Sequence, residues 1–210
     1  MLIDRGPEPF HLLSEEVAYL SLAYVKANDI DKYLERARGT KGLVIDIRNY
    51  PNEFVVFALG ERLVDKETPF ARFTVAMEGN PGAFEWTPPL SLSPKGRRYE
   101  GRVVILIDEN SQSQSEYTTI AFRVAPGAVV IGSQTAGADG NVSRIPLPGG
   151  LRPMISGIGV FYPDKRATQR IGILPDIEVR PTIAGVRTGR DEVLERALKE
   201  IQGTVGGRTR

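Results

Sequence analysis

Short apolar runs alternate with segments of helical spacing along most of this 210-residue chain. The apolar or alternating runs predict strands over residues 17–25, 42–48, 70–76, 103–107, 128–133, 155–162 and 177–181. Apolar stripes at helical spacing predict helices after Asn28 or Asp29, over residues 53–64, over 117–125 and over 188–203. Because strands and helices alternate, the sequence predicts an α/β fold with a largely parallel core.

One long segment follows neither pattern. Residues 78–101 carry prolines at four positions and form the longest stretch predicted to be irregular. Such a loop either serves substrate access or is a plain excursion on the surface, and the sequence leaves both interpretations open.

Composition narrows the classes of function. Hydrophobic residues make up 41% of the chain and charged residues 25%, which is ordinary for a globular domain. The net charge of +1 provides no overall field for nucleic acid, so no nucleic-acid partner is predicted. With no cysteine and one histidine, disulfides, thiolate metal sites and multi-histidine metal sites are excluded, and no cofactor is predicted.

The stretch Ser111-Gln112-Ser113-Gln114-Ser115-Glu116 is the strongest candidate for chemistry. It lies between a predicted buried strand and a predicted helix. A serine at such a junction exposes its hydroxyl, and the first N–H groups of the helix favour a developing oxyanion. Serine is also a preferred helix N-cap, and on this stretch alone capping is the favoured explanation.

Four motifs together resemble one peptidase family. They are Asp46-Ile47-Arg48-Asn49-Tyr50-Pro51, the serine stretch, residues 132–140 and Gly172-Ile173-Leu174-Pro175-Asp176. In this order they resemble the C-terminal processing (tail-specific) serine peptidases of family S41, of which the tricorn core is a relative. The resemblance covers roughly residues 15–202 and implies a ClpP/crotonase-like arrangement of stacked β-layers and helices.

The resemblance assigns the nucleophile. Ser113, the middle serine of three, matches the nucleophile position of the family. Ser111 and Ser115 are expected to satisfy donors of the turn and the helix end. Glu116 is expected to complement the helix dipole in the first turn, with a role in orienting the loop as the alternative.

The resemblance also implies two oxyanion donors. One is the backbone N–H of Gln114, and the other comes from a Pro-Gly-Gly turn, whose glycines are replaced here by Asn52 and Glu53. Asn52 is the predicted second donor, because asparagine tolerates a positive φ better than glutamate does. Asp46 and Arg48 are expected to form a structural ion pair rather than to take part in the chemistry.

The general base is the main departure from the family. Its lysine position holds Ala138, which cannot accept a proton. Tricorn-like relatives use a histidine that precedes a PDZ domain, but the single histidine here is His11, near the start of the chain. His11 and Asp139 are the candidate bases within the sequence, and a group from an upstream segment is the favoured source.

The sequence therefore predicts a serine endopeptidase core for unfolded or C-terminal protein segments, with a polypeptide as substrate. The alternative is an impaired pseudo-peptidase that binds a peptide or small ligand. Residues 1–14 are predicted to be a lead-in after an absent PDZ-like domain, 15–203 the peptidase core and 204–210 a flexible tail. No signal peptide is recognised, and the family implies a bacterial cell-envelope or periplasmic location.

Overall fold

The structure is a computed structural model that describes residues 7–203. The strands are β1 Phe10–Ser14, β2 Val17–Ser21, β3 Gly42–Asp46, β4 Thr68–Ala76, β5 Phe84–Trp86, β6 Leu90–Leu92, β7 Arg102–Ile107, β8 Val129–Gly132, β9 Asn141–Arg144, β10 Met154–Ile158, β11 Val160–Phe161 and β12 Ile177–Glu178. The α-helices are α1 Ile30–Arg36, α2 Val56–Gly60, α3 Gln114–Phe122, α4 Ile183–Arg187 and α5 Glu192–Gly203.

The main sheet has six strands in the order β1-β2-β3-β7-β8-β12. Strands β2, β3, β7, β8 and β12 pair in parallel, and only the edge strand β1 is antiparallel to its neighbour. The predicted α/β fold with a largely parallel sheet is confirmed. In such a sheet the carboxyl ends of the strands lie on one edge, where ligands usually bind.

The central strands β2, β3 and β7 are buried on both faces, which explains why they are almost continuously apolar. Alternate side chains of β7 enter different cores: Val103 and Ile105 pack with α2 and α3, whereas Val104 and Leu106 pack beneath α5. The stripe of α5 that covers this second face consists of Val193, Leu194, Ala197 and Ile201. The amphipathic pattern of the last predicted helix therefore fixes one layer of the fold.

A smaller antiparallel sheet and a two-stranded ribbon complete the fold. The smaller sheet has the order β11-β4-β5, with β6 also paired to β4. Strands β9 and β10 pair only with each other. The ribbon follows directly from the glycine-rich loop 135–140.

Several local predictions need correction. The segment 78–101 is not wholly irregular, because it contains β5 and β6. Strand β9 and helix α4 were not predicted, and α2 covers five residues of the helix expected over 53–64. Thr188 ends α4, and the carboxylate of Asp191 accepts the Leu194 N–H at 3.0 Å at the start of α5.

The predicted domain limits are crossed by the main sheet. Strand β1 lies within residues 1–14, the predicted lead-in, and pairs with β2 through Phe10 and Leu20. Residues 10–14 are therefore part of the core sheet. The predicted flexible tail, residues 204–210, lies outside the described residues.

Candidate active site

Ser113 has a backbone conformation that serine rarely adopts. It is the N-cap of α3, just beyond the carboxyl end of β7, with φ 51° and ψ −115°. A positive φ in a residue other than glycine costs on the order of 1–3 kcal/mol and persists only where surrounding structure imposes it. Backbone strain of this kind is concentrated at functional sites, and here it falls on the residue predicted to be the nucleophile.

The Glu116 carboxylate imposes this conformation. Its side chain is fully buried. One oxygen accepts the backbone N–H groups of Ser113 at 3.1 Å and Ala138 at 2.9 Å. The other accepts the Gly137 N–H at 2.8 Å and the Thr135 hydroxyl at 2.5 Å. Glu116 therefore ties the serine turn to the glycine-rich loop, which is the alternative role considered for it from the sequence.

The loop reaches Glu116 because of Gly137. This residue has φ 68°, and a Cβ placed on it would lie 3.0 Å from the backbone carbon of Arg170. The loop is also held from the other side, where the Gly137 carbonyl accepts the Arg170 N–H at 2.6 Å. Both the positive φ and the close approach require glycine here.

The flanking serines have different environments. The Ser111 hydroxyl accepts the Asp108 N–H at 3.1 Å and donates to the Ile47 carbonyl at 3.1 Å, so its predicted turn-stabilising role is confirmed. The Ser115 hydroxyl is buried and has no hydrogen-bond partner among residues 7–203. The prediction that Ser115 satisfies a helix-end donor is therefore wrong.

The two backbone N–H groups predicted as oxyanion donors differ in their hydrogen bonding. The Gln114 N–H belongs to the first turn of α3, where backbone N–H groups have no partner within the helix. The Asn52 N–H instead donates to the Leu22 carbonyl at 2.8 Å. Asn52 cannot serve as the second donor in this conformation, and that prediction is corrected.

Glu53 contacts the serine stretch directly through its backbone. Its carbonyl accepts the Gln114 side-chain amide at 3.0 Å, while its carboxylate accepts the Ala27 N–H at 2.7 Å. The negative charge is thus held by a backbone donor of another segment. The carbonyl contact places the peptide between Glu53 and Phe54 beside the Gln114 side chain.

The predicted ion pair between Asp46 and Arg48 forms and extends to Asp191. The Arg48 guanidinium donates to the carboxylates of Asp46 at 2.6 Å and Asp191 at 2.8 Å. The Tyr19 hydroxyl donates to the same Asp46 at 2.7 Å. This network links the end of β3 to the start of α5 and contains no contact with Ser113.

No candidate base forms a hydrogen bond to Ser113 among the described residues. Ala138 is exposed and contributes only its backbone N–H to Glu116. His11 lies on the edge strand β1, where its ring packs against Tyr19 with centroids 4.7 Å apart. The structure thus places His11 with β2 rather than with the serine turn.

Asp139 has a pKa suited to a general base but forms no hydrogen bond to Ser113. Its side chain is buried, and burial together with the charge of Glu116 raises its pKa to about 7. The carboxylate accepts the Gly140 N–H at 2.9 Å and lies 3.4 Å from the Thr168 hydroxyl. A carboxylate with this pKa exchanges protons at neutral pH, as a general base must.

Thr135 and Thr168 were missed by the sequence reasoning. Both are buried, and the Thr135 hydroxyl also accepts the Ile173 N–H at 2.7 Å, which joins Glu116 to the Gly172–Asp176 motif. Thr135 lies in the glycine-rich loop and Thr168 in a polar segment after β11, where threonine is common, so neither residue carries a signal of its own in a single sequence. Among residues 7–203 there is no cluster of acidic and histidine side chains that could hold a metal ion.

Comparison with known proteins agrees with this geometry. The model of peptidase family S41 matches residues 59–179. A peptidase-like protein from Parabacteroides merdae superposes with a TM-score of 0.79 at 24% identity, over 91% of this chain and 63% of that one. Mature CPAF superposes with a TM-score of 0.74 at 17% identity, over 89% and 52% of the two chains.

A third solved structure, the photosystem II D1 C-terminal processing protease, gives a TM-score of 0.61 at 20% identity, over 81% of this chain and 44% of that one. The chain thus spans less than two thirds of the length of these relatives. No curated protein matches it. The predicted ClpP/crotonase-like fold is confirmed by these superpositions.

Proposed function

Because the chain belongs to peptidase family S41, we propose that it is the core of a serine endopeptidase acting on unfolded or C-terminal protein segments through an acyl-enzyme on Ser113. The observation that carries this proposal is the strained backbone of Ser113, held by the buried carboxylate of Glu116. A helix cap alone does not need this strain, since serine caps helices readily in the extended conformation.

The proposed reaction begins when the Ser113 hydroxyl attacks the carbonyl carbon of a peptide bond. A base takes the hydroxyl proton, and the carbonyl oxygen becomes an oxyanion near the Gln114 N–H and the positive end of α3. The C–N bond then breaks, the amine leaves with a proton, and an ester to Ser113 remains. Water hydrolyses this ester and releases the second product.

The base is proposed to come from a segment upstream of the described core, with Asp139 as the internal alternative. Family membership supports an upstream PDZ-like domain as the partner that supplies it, and a cell-envelope location. Asp139 is supported by its burial and raised pKa. The absence of a hydrogen bond from Asp139 to Ser113 favours the upstream source.

The second candidate function is a peptide- or ligand-binding module. Ala138 in the lysine position and the engaged Asn52 N–H favour it, because each removes a part of the family's machinery. An exposed apolar side chain, Phe54, stacks on Tyr117 with ring centroids 6.1 Å apart and gives either function an apolar contact for a bound polypeptide.

Labelling with a fluorophosphonate separates the two functions. A competent site is modified on Ser113, whereas Ser111 and Ser115 stay unmodified. Replacing Asp139 by asparagine should then leave the labelling rate unchanged if the base lies upstream, and lower it by about 10²-fold or more if Asp139 is the base. Absence of labelling both in this chain and in a longer chain with its upstream domain would refute the peptidase proposal and favour the binding module.

A further inference from the structure

The ribbon formed by β9 and β10 exposes apolar side chains that a folded chain normally buries. Every residue from 141 to 157 is exposed. Six of them are large hydrophobic residues, Val142, Ile145, Leu147, Leu151, Met154 and Ile155. Contiguous exposed apolar surface on a folded chain marks a binding surface, whereas scattered single residues do not.

The tip of the ribbon is the most apolar part and keeps much of its backbone satisfied. Leu147 and Leu151 flank a turn and are 45% and 65% exposed. The Leu147 N–H donates to the Leu151 carbonyl at 2.9 Å, and the Ile145 N–H donates to the Pro153 carbonyl at 2.9 Å. Prolines at 146, 148 and 153 have no N–H to satisfy. When this tip moves from water into a lipid interface, few of its backbone N–H groups lose a hydrogen bond, which lowers the cost of the transfer.

The charge of the ribbon has one sign. Between residues 140 and 163 the chain contains Arg144 and Arg152 but no aspartate or glutamate. Within the described residues 7–203, no carboxylate pairs with either arginine. The net charge of +1 for the whole chain therefore conceals a local surface that is both apolar and cationic.

These features distinguish between possible occupants. A second copy placed ribbon to ribbon would bring Arg144 and Arg152 against their own equivalents, without acidic residues to offset the repulsion. An anionic bilayer complements the ribbon in both respects, because its headgroups attract the arginines and its acyl boundary accepts the leucines.

We propose that the tip of the β9–β10 ribbon, with Leu147 and Leu151 between Arg144 and Arg152, binds the surface of an anionic phospholipid bilayer. The contact is interfacial, because it is made by the exposed leucines and arginines of a two-stranded ribbon. No helix within residues 7–203 is long and apolar enough to span a membrane. The ribbon begins directly after the loop whose backbone N–H groups bind Glu116. Binding of the ribbon to a bilayer would therefore hold the Ser113 turn near the membrane surface. That last consequence rests on the proposed function, whereas the lipid contact does not.

Vesicle binding of the full 210-residue chain tests the proposal. Co-sedimentation is expected with vesicles of phosphatidylcholine and phosphatidylglycerol, and little with phosphatidylcholine alone. The double variant Leu147→Ser and Leu151→Ser should lower the partition coefficient at least about tenfold. The double variant Arg144→Gln and Arg152→Gln should lower it about fivefold for each charge, with the difference lost at high salt.

Matched controls lie elsewhere on the surface. Ile183→Ser removes an even more exposed apolar side chain from α4, and Arg97→Gln with Arg98→Gln removes two charges from the segment between β6 and β7. Both are expected to leave binding unchanged. Because the chain has no cysteine, a dye attached at Leu151→Cys should also report an apolar environment on adding vesicles, and one at Ile183→Cys should not.

Three results would overturn the proposal. The first is equal binding by the ribbon variants and the controls. The second is a monomer–dimer change caused by the ribbon variants without lipid, which would show that a second copy covers the tip. The third is capture of an acidic, apolar polypeptide by the ribbon with no binding to anionic vesicles.

Discussion

Replacing Glu116 by glutamine is the most informative perturbation of this site. The substitution keeps the size of the side chain but replaces one acceptor oxygen by an amide group that only donates. In the unmodified chain each oxygen of the Glu116 carboxylate accepts two hydrogen bonds. One oxygen accepts from Ser113 and Ala138, and the other accepts from Gly137 and Thr135. The amide group must therefore face one of these two pairs of donors.

The less costly orientation places the amide group towards Thr135. That hydroxyl can rotate and accept, so the Gly137 N–H loses its acceptor and the Thr135 O–H no longer donates to residue 116. An unsatisfied buried donor costs about 1–3 kcal/mol, and the remaining bonds lose the assistance of a negative charge. We expect Glu116→Gln to lower the free energy of unfolding by about 2–4 kcal/mol.

Ser115→Ala is the matched control in the same helical turn. Its hydroxyl is equally buried but has no hydrogen-bond partner within residues 7–203, so its removal is expected to be neutral or slightly stabilising. Urea denaturation of both variants at neutral pH, monitored by far-UV circular dichroism, measures the difference. If Glu116→Gln is as stable as the unmodified chain, or Ser115→Ala loses as much stability as it does, the assigned role of the carboxylate is wrong.

Three further predictions concern the same site. Ser113→Gly should raise the free energy of unfolding by about 1 kcal/mol and abolish fluorophosphonate labelling, because glycine adopts the positive φ without strain; a stability loss in urea denaturation would contradict this. The raised pKa of Asp139, about 7, implies that the unfolded state binds fewer protons than the folded state between about pH 4 and 7, so stability falls as pH rises through this window. Asp139→Asn should remove this loss, on the order of 4 kcal/mol, when unfolding is measured at pH 4 and at pH 8, and equal pH dependence would refute the assignment. Ala138→Lys should increase the labelling rate of Ser113 at least about tenfold, because the backbone N–H groups of residues 113 and 138 bind one carboxylate oxygen and a lysine that reaches the Ser113 hydroxyl can act as a base; an unchanged rate would show that this side chain does not reach the hydroxyl.

The parallel sheet was predictable because its signal is local. Segments such as Val103–Ile107 are apolar on both faces, which only a strand covered on both sides requires. The strands β5, β6 and β9 lack that signal. Residues 84–86 and 141–144 are exposed, so neither hydrophobic periodicity nor burial distinguishes them from loop. They are strands because of pairing with distant segments, which a single sequence does not display.

The position of Ser113 at a strand-to-helix junction was predictable for the same reason, whereas its surroundings were not. Ser113 sits in a local stretch between a strand and a helix, and its position can be inferred from neighbours in sequence. The error at Asn52 came from a long-range contact, because its N–H is taken by Leu22, thirty positions earlier in the chain. The burial that raises the pKa of Asp139 likewise depends on Glu116 and on the chain around Thr168.

Alanine at position 138 removes the lysine side chain of the family but keeps the backbone contact of this position with Glu116. In the family the residue at this position supplies a lysine side chain, but in this chain its backbone N–H also binds Glu116. That N–H is present in alanine as it is in lysine, so the contact between the two loops survives the substitution. A site that had lost its role would not be expected to keep a fully buried carboxylate occupied solely by donors from the two loops, nor to hold Ser113 at a positive φ. The serine turn and the glycine-rich loop are therefore retained, and a base supplied from elsewhere would meet a serine that is already in place.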